Sequence, residues 1–131
     1  LRIKKDLEQS LQILFQIDCC YIQANYDIAE IFLNEYNNFN IALDYFNRII
    51  NSLSKKPISE MNLNNKKIYK KSLFMSGYIY SNYLGLYSKG NRVYETFISQ
   101  FPDDELIESV KYEMSLLESK EKINRDLLNR R

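Results

Sequence analysis

The chain has no histidine and no tryptophan, and it is poor in glycine, proline and cysteine. Three glycines and two prolines in 131 residues are too few for a β protein with many tight turns. The absence of histidine removes the commonest general base and metal ligand. The three glycines are also too scattered to form a phosphate-binding loop. These absences favour a helical protein that is not an enzyme and has no cofactor.

Neither sign of charge is in excess, and long apolar runs are missing. Lysine and arginine number 18 against 17 acidic residues, so the charge pattern typical of nucleic-acid binding is absent. No run of about 18 apolar residues occurs, which predicts no membrane-spanning segment. A secretory signal is absent as well, and the first residue is leucine. We therefore expect a fragment or a processed form of a longer protein.

The only two cysteines are the neighbours Cys19 and Cys20. Adjacent cysteines rarely form a disulfide, because the required geometry is strained. A metal site would need further ligands of the kind that the sequence lacks. We therefore expect both to be small apolar side chains, and the many acidic residues to form a solvated helix surface.

Apolar side chains recur at helical spacing along most of the chain, and they make up 45% of the residues. This spacing predicts a leading helix that either continues as one long helix or breaks near Asp18 or Asn25; we expect the break near residue 17, with Asp18 as a cap. Asn37, Asn38 and Asn40 predict a turn, since asparagine tolerates left-handed backbone and caps helices. Further helices are expected over 41–53, over 66–87, from after Ser88 to just before Phe101, and from Pro102 onward. Asn64 and Asn65 are expected to cap the helix over 66–87. The helix that begins at Pro102 is expected to bury a stripe made of Leu106, Val110, Met114 and Leu117.

Two stretches of the chain match each other at a constant offset without a gap. Ala29 and Ala42 have small counterparts in Gly77 and Gly90, each 48 residues later. Bulky residues correspond in the same register, and three positions are identical. The bulky pairs are Phe32 with Tyr80, Phe46 with Tyr94 and Ile49 with Phe97; the identities are Ile31 with Ile79, Asn34 with Asn82 and Ile50 with Ile98. The match predicts a duplicated helix–turn–helix unit.

This pattern resembles the tetratricopeptide repeat, whose helix pairs carry small and aromatic residues at such positions and end in proline. The second copy ends at Pro102, whereas the first has Ser54 there, and the copies lie further apart than the family's roughly 34 residues. The resemblance covers about residues 20–118. The amino-acid sequence of this stretch is most similar to repeat proteins of the bacterial cell envelope, including relatives of the Tol–Pal coordinator and of the outer-membrane assembly lipoprotein.

The resemblance implies an all-α antiparallel helical-hairpin solenoid of about five to six helices. We expect a single domain over residues 1–131, divided into five segments. They are a leading helix (1–17), a first repeat (18–54), a linker (55–65), a second repeat (66–102), and a closing helix with a charged tail (103–131). A short helical turn is expected inside the linker, near residues 58–61.

In the repeat family, the first helix of each pair lines a concave face that binds a partner. The register places two strips there, and mixed aromatic and amide side chains suit a peptide. The strips are Gln23, Tyr26, Glu30 and Asn34 in the first copy, and Lys71, Phe74, Tyr78 and Asn82 in the second. Two alternatives remain: both asparagines bond loop backbone, and both tyrosines pack on neighbouring helices.

The sequence therefore predicts a protein–protein interaction scaffold that binds a peptide or partner protein, without catalytic residues, metal or cofactor. Self-association of a larger protein through this module is the alternative function, because terminal repeats with apolar faces can form oligomers. The basic ends, around Arg2 and Arg130, leave contact with phosphate or anionic lipid open. The resemblance gives a weak preference for the bacterial periplasm or outer membrane, and the sequence names neither the partner nor the compartment.

Overall fold

The described part of the chain is helical and contains no strand. A computed structural model describes residues 2–16 and 21–130, with the backbone alone for residues 2–5. Its helices are α1 (Arg2–Phe15), α2 (Ile22–Asn34), α3 (Phe39–Leu53), α4 (Leu63–Asn82), α5 (Tyr87–Gln100) and α6 (Ile107–Asn129), and a 3₁₀ turn lies at Ile58–Glu60. The expected all-α class is confirmed, as is the short turn within the linker.

The chain divides into two compact units, residues 1–72 and 73–131. The boundary falls inside α4, so the first half of that helix belongs to one unit and the second half to the other. The expected break near residue 17 falls on residues 17–20, between α1 and α2, which the structure does not describe. Asp18, Cys19 and Cys20 lie there too, outside the described residues, as does Arg131 at the other end.

In the first unit, α2 and α3 form a hairpin around small and aromatic side chains. Ala29, Ala42 and Phe46 are fully buried. The ring of Tyr26 lies edge-on to that of Phe46, with 6.0 Å between their centroids. The hairpin core therefore combines two alanines, which let the helices approach, with an aromatic pair that fills the space beside them.

The turn between α2 and α3 depends on a left-handed residue. Asn37 has φ 51°, and the N–H of Asn38 bonds the carbonyl of Phe32 at 2.8 Å, which closes the end of α2. The Asn38 side chain accepts from the N–H of Ile41 at 3.2 Å and so caps α3. The predicted asparagine turn and cap are confirmed.

In the second unit, the end of α4 and α5 form a hairpin with the same local geometry. Gly85, with φ 65°, stands where Asn37 stands in the first hairpin. The N–H of Leu86 bonds the carbonyl of Tyr80 at 2.8 Å, as Asn38 bonds Phe32. Phe74 and Tyr94 have their ring centroids 6.2 Å apart, and they occupy the positions of Tyr26 and Phe46. The constant register therefore holds for the turn and for the aromatic pair.

Gly77 and Gly90 mark the closest approach of the two helices in the second hairpin. A Cβ on Gly90 would lie 3.1 Å from the carbonyl oxygen of Gly77, and one on Gly77 would lie 2.5 Å from Cε1 of Tyr94. The Ser81 hydroxyl, which a Cβ on Gly90 would also meet, donates to that carbonyl at 2.7 Å. The expectation that these small residues let the helices touch is confirmed.

The expected end of α4 and the expected start of α5 were wrong, whereas α5 ends before Phe101 as expected. α4 ends at Asn82 rather than near Tyr87, and α5 begins at Tyr87 with Leu86 in the capping position, not Ser88. The reason is the left-handed Gly85, whose conformation ends α4 before the serine is reached.

Two helix starts also differ from expectation. α4 begins at Leu63, inside the expected linker, because Asn62 rather than Asn64 or Asn65 caps it; its side chain accepts from the N–H of Asn65 at 2.8 Å. α6 begins at Ile107 instead of near Pro102. The carboxylate of Asp104 accepts from the N–H of Leu106 at 2.9 Å, and this local bond holds the preceding residues in a turn.

α6 buries its first half and exposes its second. Val110 and Leu117 are buried as expected, Leu106 and Met114 are half-buried, and Ile107 joins the buried set. From residue 122 to residue 130 every side chain is exposed. The helix nevertheless continues to Asn129, so the charged tail extends α6 into solvent.

Candidate functional site

The strip predicted on α2 lies within the first unit and is mostly half-buried. Gln23, Tyr26 and Glu30 are half-buried, and Asn34, near the end of the helix, is exposed. The amide of Gln23 donates to the carboxylate of Asp27 at 3.0 Å, one turn further along α2. The strip therefore presents amide and carboxylate groups beside one aromatic ring.

Tyr26 is held from both ends. Its ring packs on Phe46, and its hydroxyl bonds the side chain of Glu30. Burial raises the pKa of Tyr26 well above its usual value, and the bond to Glu30 and the charges of Glu30 and Asp27 add to the rise. The phenol is neutral at physiological pH and donates a hydrogen bond to the carboxylate of Glu30. Ordinary packing accounts for the ring, as the alternative interpretation expected, and the half-exposed side chain remains within reach of a ligand.

Glu30 also lines a groove between α1 and α2. This groove has a volume of about 480 Å³, and its apolar lining comes from Ile13, Leu14 and Ile31. Ile13 is 63% exposed, so the groove opens to solvent along α1. A carboxylate beside an open apolar groove is a feature that suits an amphipathic ligand.

The strip predicted on α4 is divided by the unit boundary. Lys71 belongs to the first unit and is exposed, whereas Phe74 and Tyr78 belong to the second and are half-buried. The rings of Phe74 and Tyr78 are stacked, with 6.4 Å between centroids. Tyr83 lies edge-on to Tyr78 at 5.8 Å. The α4 strip in the second unit is thus an aromatic cluster.

Burial raises the pKa of Tyr78 above its usual value, and the neighbouring Tyr83 and the charge of Glu113 contribute further. Glu113 lies on α6, so the charge of the closing helix affects the pKa of Tyr78. Its hydroxyl stays neutral at physiological pH, like that of Tyr26.

Asn82 forms hydrogen bonds with two side chains of α6. Its amide nitrogen donates to the carboxylate of Glu113 at 3.5 Å and to the carbonyl of Tyr78 at 3.3 Å. Its amide oxygen accepts from the ammonium group of Lys120 at 2.7 Å. The backbone partner belongs to α4 itself rather than to a loop. Asn82 therefore serves the packing of α6, whereas Asn34, at the corresponding position of α2, is exposed.

Sequence reasoning missed Glu113 and Lys120 as the partners of Asn82. They lie seven residues apart on α6, which places them on one side of the helix two turns apart. That spacing was visible in the sequence, but nothing in it indicated that α6 would pack beside the end of α4.

A second feature that was missed is a groove of about 560 Å³ beside the first turn of α5, where Leu86, Lys89, Arg125 and Leu128 contribute to the lining.

The described residues contain no group of three or more histidine, cysteine, aspartate or glutamate side chains arranged to hold a metal ion. None of the helices described here combines the length and the apolar character that crossing a membrane requires. Comparison of the chain with protein-family models, with curated proteins and with solved structures found no match in any of the three.

Proposed function

We propose that this chain is a non-enzymatic interaction module of the tetratricopeptide type, which binds a peptide or a partner protein along the first helices of its hairpins. The observation that carries the proposal is the repetition of one hairpin geometry. Asn37 and Gly85 make the same left-handed turn, and the ring pairs Tyr26–Phe46 and Phe74–Tyr94 have nearly the same spacing. Repeated hairpins are typical of proteins that present extended binding surfaces.

The chemistry of the α2 strip supports a peptide ligand. Gln23 and Asn34 offer amide groups that can bond a peptide backbone, and the half-exposed ring of Tyr26 can bury apolar area. The bonds that Tyr26 makes to Glu30 and Gln23 makes to Asp27 restrict these side chains before any partner binds. A restricted surface loses less entropy on binding than a free one.

On α4, the proposed contacts are Lys71, Phe74 and Tyr78. Lys71 supplies an exposed positive charge, and the stacked rings of Phe74 and Tyr78 supply apolar area. Asn82 contributes less to binding in this proposal, because α6 already occupies its amide. For the biological setting we propose an assembly of the bacterial envelope, on the resemblance of the repeat sequence alone.

The proposal is tested by selecting ligands from a displayed library of random peptides, with the purified chain as bait. Binding of a selected peptide is then measured by fluorescence anisotropy for single alanine variants of the two strips. We expect Tyr26→Ala and Phe74→Ala each to weaken binding by about tenfold or more, as for central aromatic contacts. Asp44→Ala and Glu95→Ala serve as matched controls, since both side chains are exposed on second helices of the hairpins.

The helical content of every variant is checked by circular dichroism, so that loss of folding is separated from loss of binding. Undiminished affinity in all strip variants would disprove the proposed surface. A loss of equal size in the controls would place the binding site elsewhere on the molecule.

A further inference from the structure

α6 has a second apolar face besides the one that it buries. Tyr112, Ile123 and Leu127 are 62%, 60% and 57% exposed, and Leu116 between them is half-buried. Because successive helical residues are about 100° apart, these four side chains fall within a sector of about 60°. We call these four residues the outer stripe; it runs about 22 Å along the helix. Its centre lies about 120° around the helix from the buried Val110 and Leu117.

Contacts with the end of α4 hold the outer stripe towards solvent. Glu113 and Lys120, which lie between the buried face and the outer stripe, both bond the amide of Asn82. These bonds fix the rotation of α6 about its own axis. The bond to Asn82 also directs the ammonium group of Lys120, the charge nearest the middle of the stripe, away from the stripe. The exposed stripe is therefore a fixed apolar surface, and such surfaces typically mark sites of association.

We propose that the outer stripe binds the outer stripe of a second copy of this chain, with the two α6 helices antiparallel. A two-fold axis between Ser119 and Lys120 places Tyr112 of one copy opposite Leu127 of the second copy. The same axis places Leu116 opposite Ile123, because the members of each pair are equally far from it along the sequence. The stripe thus complements itself under two-fold symmetry, which is the requirement for a closed dimer.

The distribution of charge along α6 favours the antiparallel arrangement. Residues 107–118 contain three acidic residues and one basic residue, and residues 119–130 contain four basic and two acidic ones. In an antiparallel pair, the acidic half of each helix lies beside the basic half of the other. A parallel pair would align like with like, which is unfavourable.

This inference does not depend on the proposed binding of a peptide to α2 and α4, since it concerns a different helix. It predicts a dimer that forms without any added ligand. The dissociation constant is measured by analytical ultracentrifugation over a concentration series from micromolar to millimolar. We expect Ile123→Asp to raise it by about 30-fold or more, because the symmetry buries each introduced charge at a central contact.

Leu128→Asp is the matched control on the same helix. Leu128 is 64% exposed but lies on the side of α6 that faces the groove beside α5. We expect this variant to dimerise as the original chain does. Both variants change an exposed leucine or isoleucine to aspartate in the solvated part of α6, so circular dichroism should show folded protein in each case.

Cross-linking tests the orientation of the helices. In a background with Cys19 and Cys20 replaced by serine, Tyr112→Cys and Leu127→Cys proteins are oxidised separately and as a mixture. We expect disulfide dimers chiefly in the mixture, since antiparallel pairing brings residue 112 of one copy to residue 127 of the other. Cross-linking of Tyr112→Cys with itself would indicate parallel helices and overturn the arrangement. A monomer at every concentration, or equal effects of Ile123→Asp and Leu128→Asp, would overturn the interface itself.

Discussion

Gly77 is one of two glycines in the second hairpin at which a larger side chain would meet a neighbouring residue. A methyl group there would meet the ring of Tyr94, which is fully buried. We expect Gly77→Ala to destabilise the protein by about 1–3 kcal/mol, because the cost of overpacking exceeds the gain in helix propensity. Urea unfolding followed by circular dichroism measures the change.

A double-mutant cycle identifies the cause. In a Tyr94→Leu background the ring is gone, so Gly77→Ala should cost less than it does in the original chain. An equal cost in both backgrounds would show that the ring is not the obstacle.

Tyr94 combines complete burial with a hydroxyl for which no hydrogen-bond partner is found among the described residues. Burial raises its pKa above the ordinary value of 10.0; the charge of Glu113 adds to the rise and nearby Ser81 opposes it. The unfolded chain therefore loses this proton at a lower pH than the folded chain does. The stability due to the neutral phenol is complete below pH 10 and declines as the pH rises towards the folded pKa.

We expect Tyr94→Phe to flatten the loss of unfolding free energy above pH 10. At neutral pH the same change should be neutral or stabilising by up to about 1 kcal/mol, since it removes an unpaired buried hydroxyl. Phe46 already occupies the corresponding position of the first hairpin. Tyr83→Phe, at a side chain that is 47% exposed, is the control. A pH profile unchanged by Tyr94→Phe would contradict the assignment.

Of the two hairpin turns, the first was predicted from the sequence and the second was missed. The first turn was predicted because three asparagines stand close together there. The second was missed because local rules gave most weight to Ser88 as a cap, whereas Gly85 ends the helix before it. The constant offset did contain the answer, since it aligns Gly85 with Asn37. The repeat register was therefore a better guide to the turn than local propensity.

The anchoring of α6 distinguishes two asparagines that the repeat register treats as equivalent. Asn82 bonds Glu113 and Lys120, whereas Asn34 is exposed. We expect Asn82→Ala to lower the unfolding free energy by about 1–2 kcal/mol, because it removes bonds to two charged groups. Asn34→Ala should change it by less than about 0.5 kcal/mol. Thermal and urea unfolding measure both, and equal effects would refute the anchoring role of Asn82.

At the scale of the whole molecule, the helical class and the repeated hairpin could be predicted, because both follow from spacing along the chain. The candidate strips could be placed on their helices for the same reason. Their surroundings could not, since the packing of α6 beside Asn82 depends on side chains 31 and 38 residues away. Whether the strips bind a partner stays a prediction.

The near balance of charge affects the behaviour of the chain in solution. Its isoelectric point is about 7.9, so repulsion between molecules is weakest just above neutral pH. We expect solubility to be lowest near that pH and to rise on either side, as turbidity measurements across pH would show. Solubility independent of pH between 6 and about 9 would contradict this expectation.

The tyrosines differ so widely in accessibility that they can serve as chemical reporters. Tetranitromethane should modify Tyr112, which is 62% exposed, and spare Tyr94, which is fully buried. Nitration at residue 94 would then record each opening of the second hairpin, and shielding of residue 112 at high concentration would record the meeting of two copies. One reagent and a mass spectrometer would thus follow internal motion and assembly in the same sample.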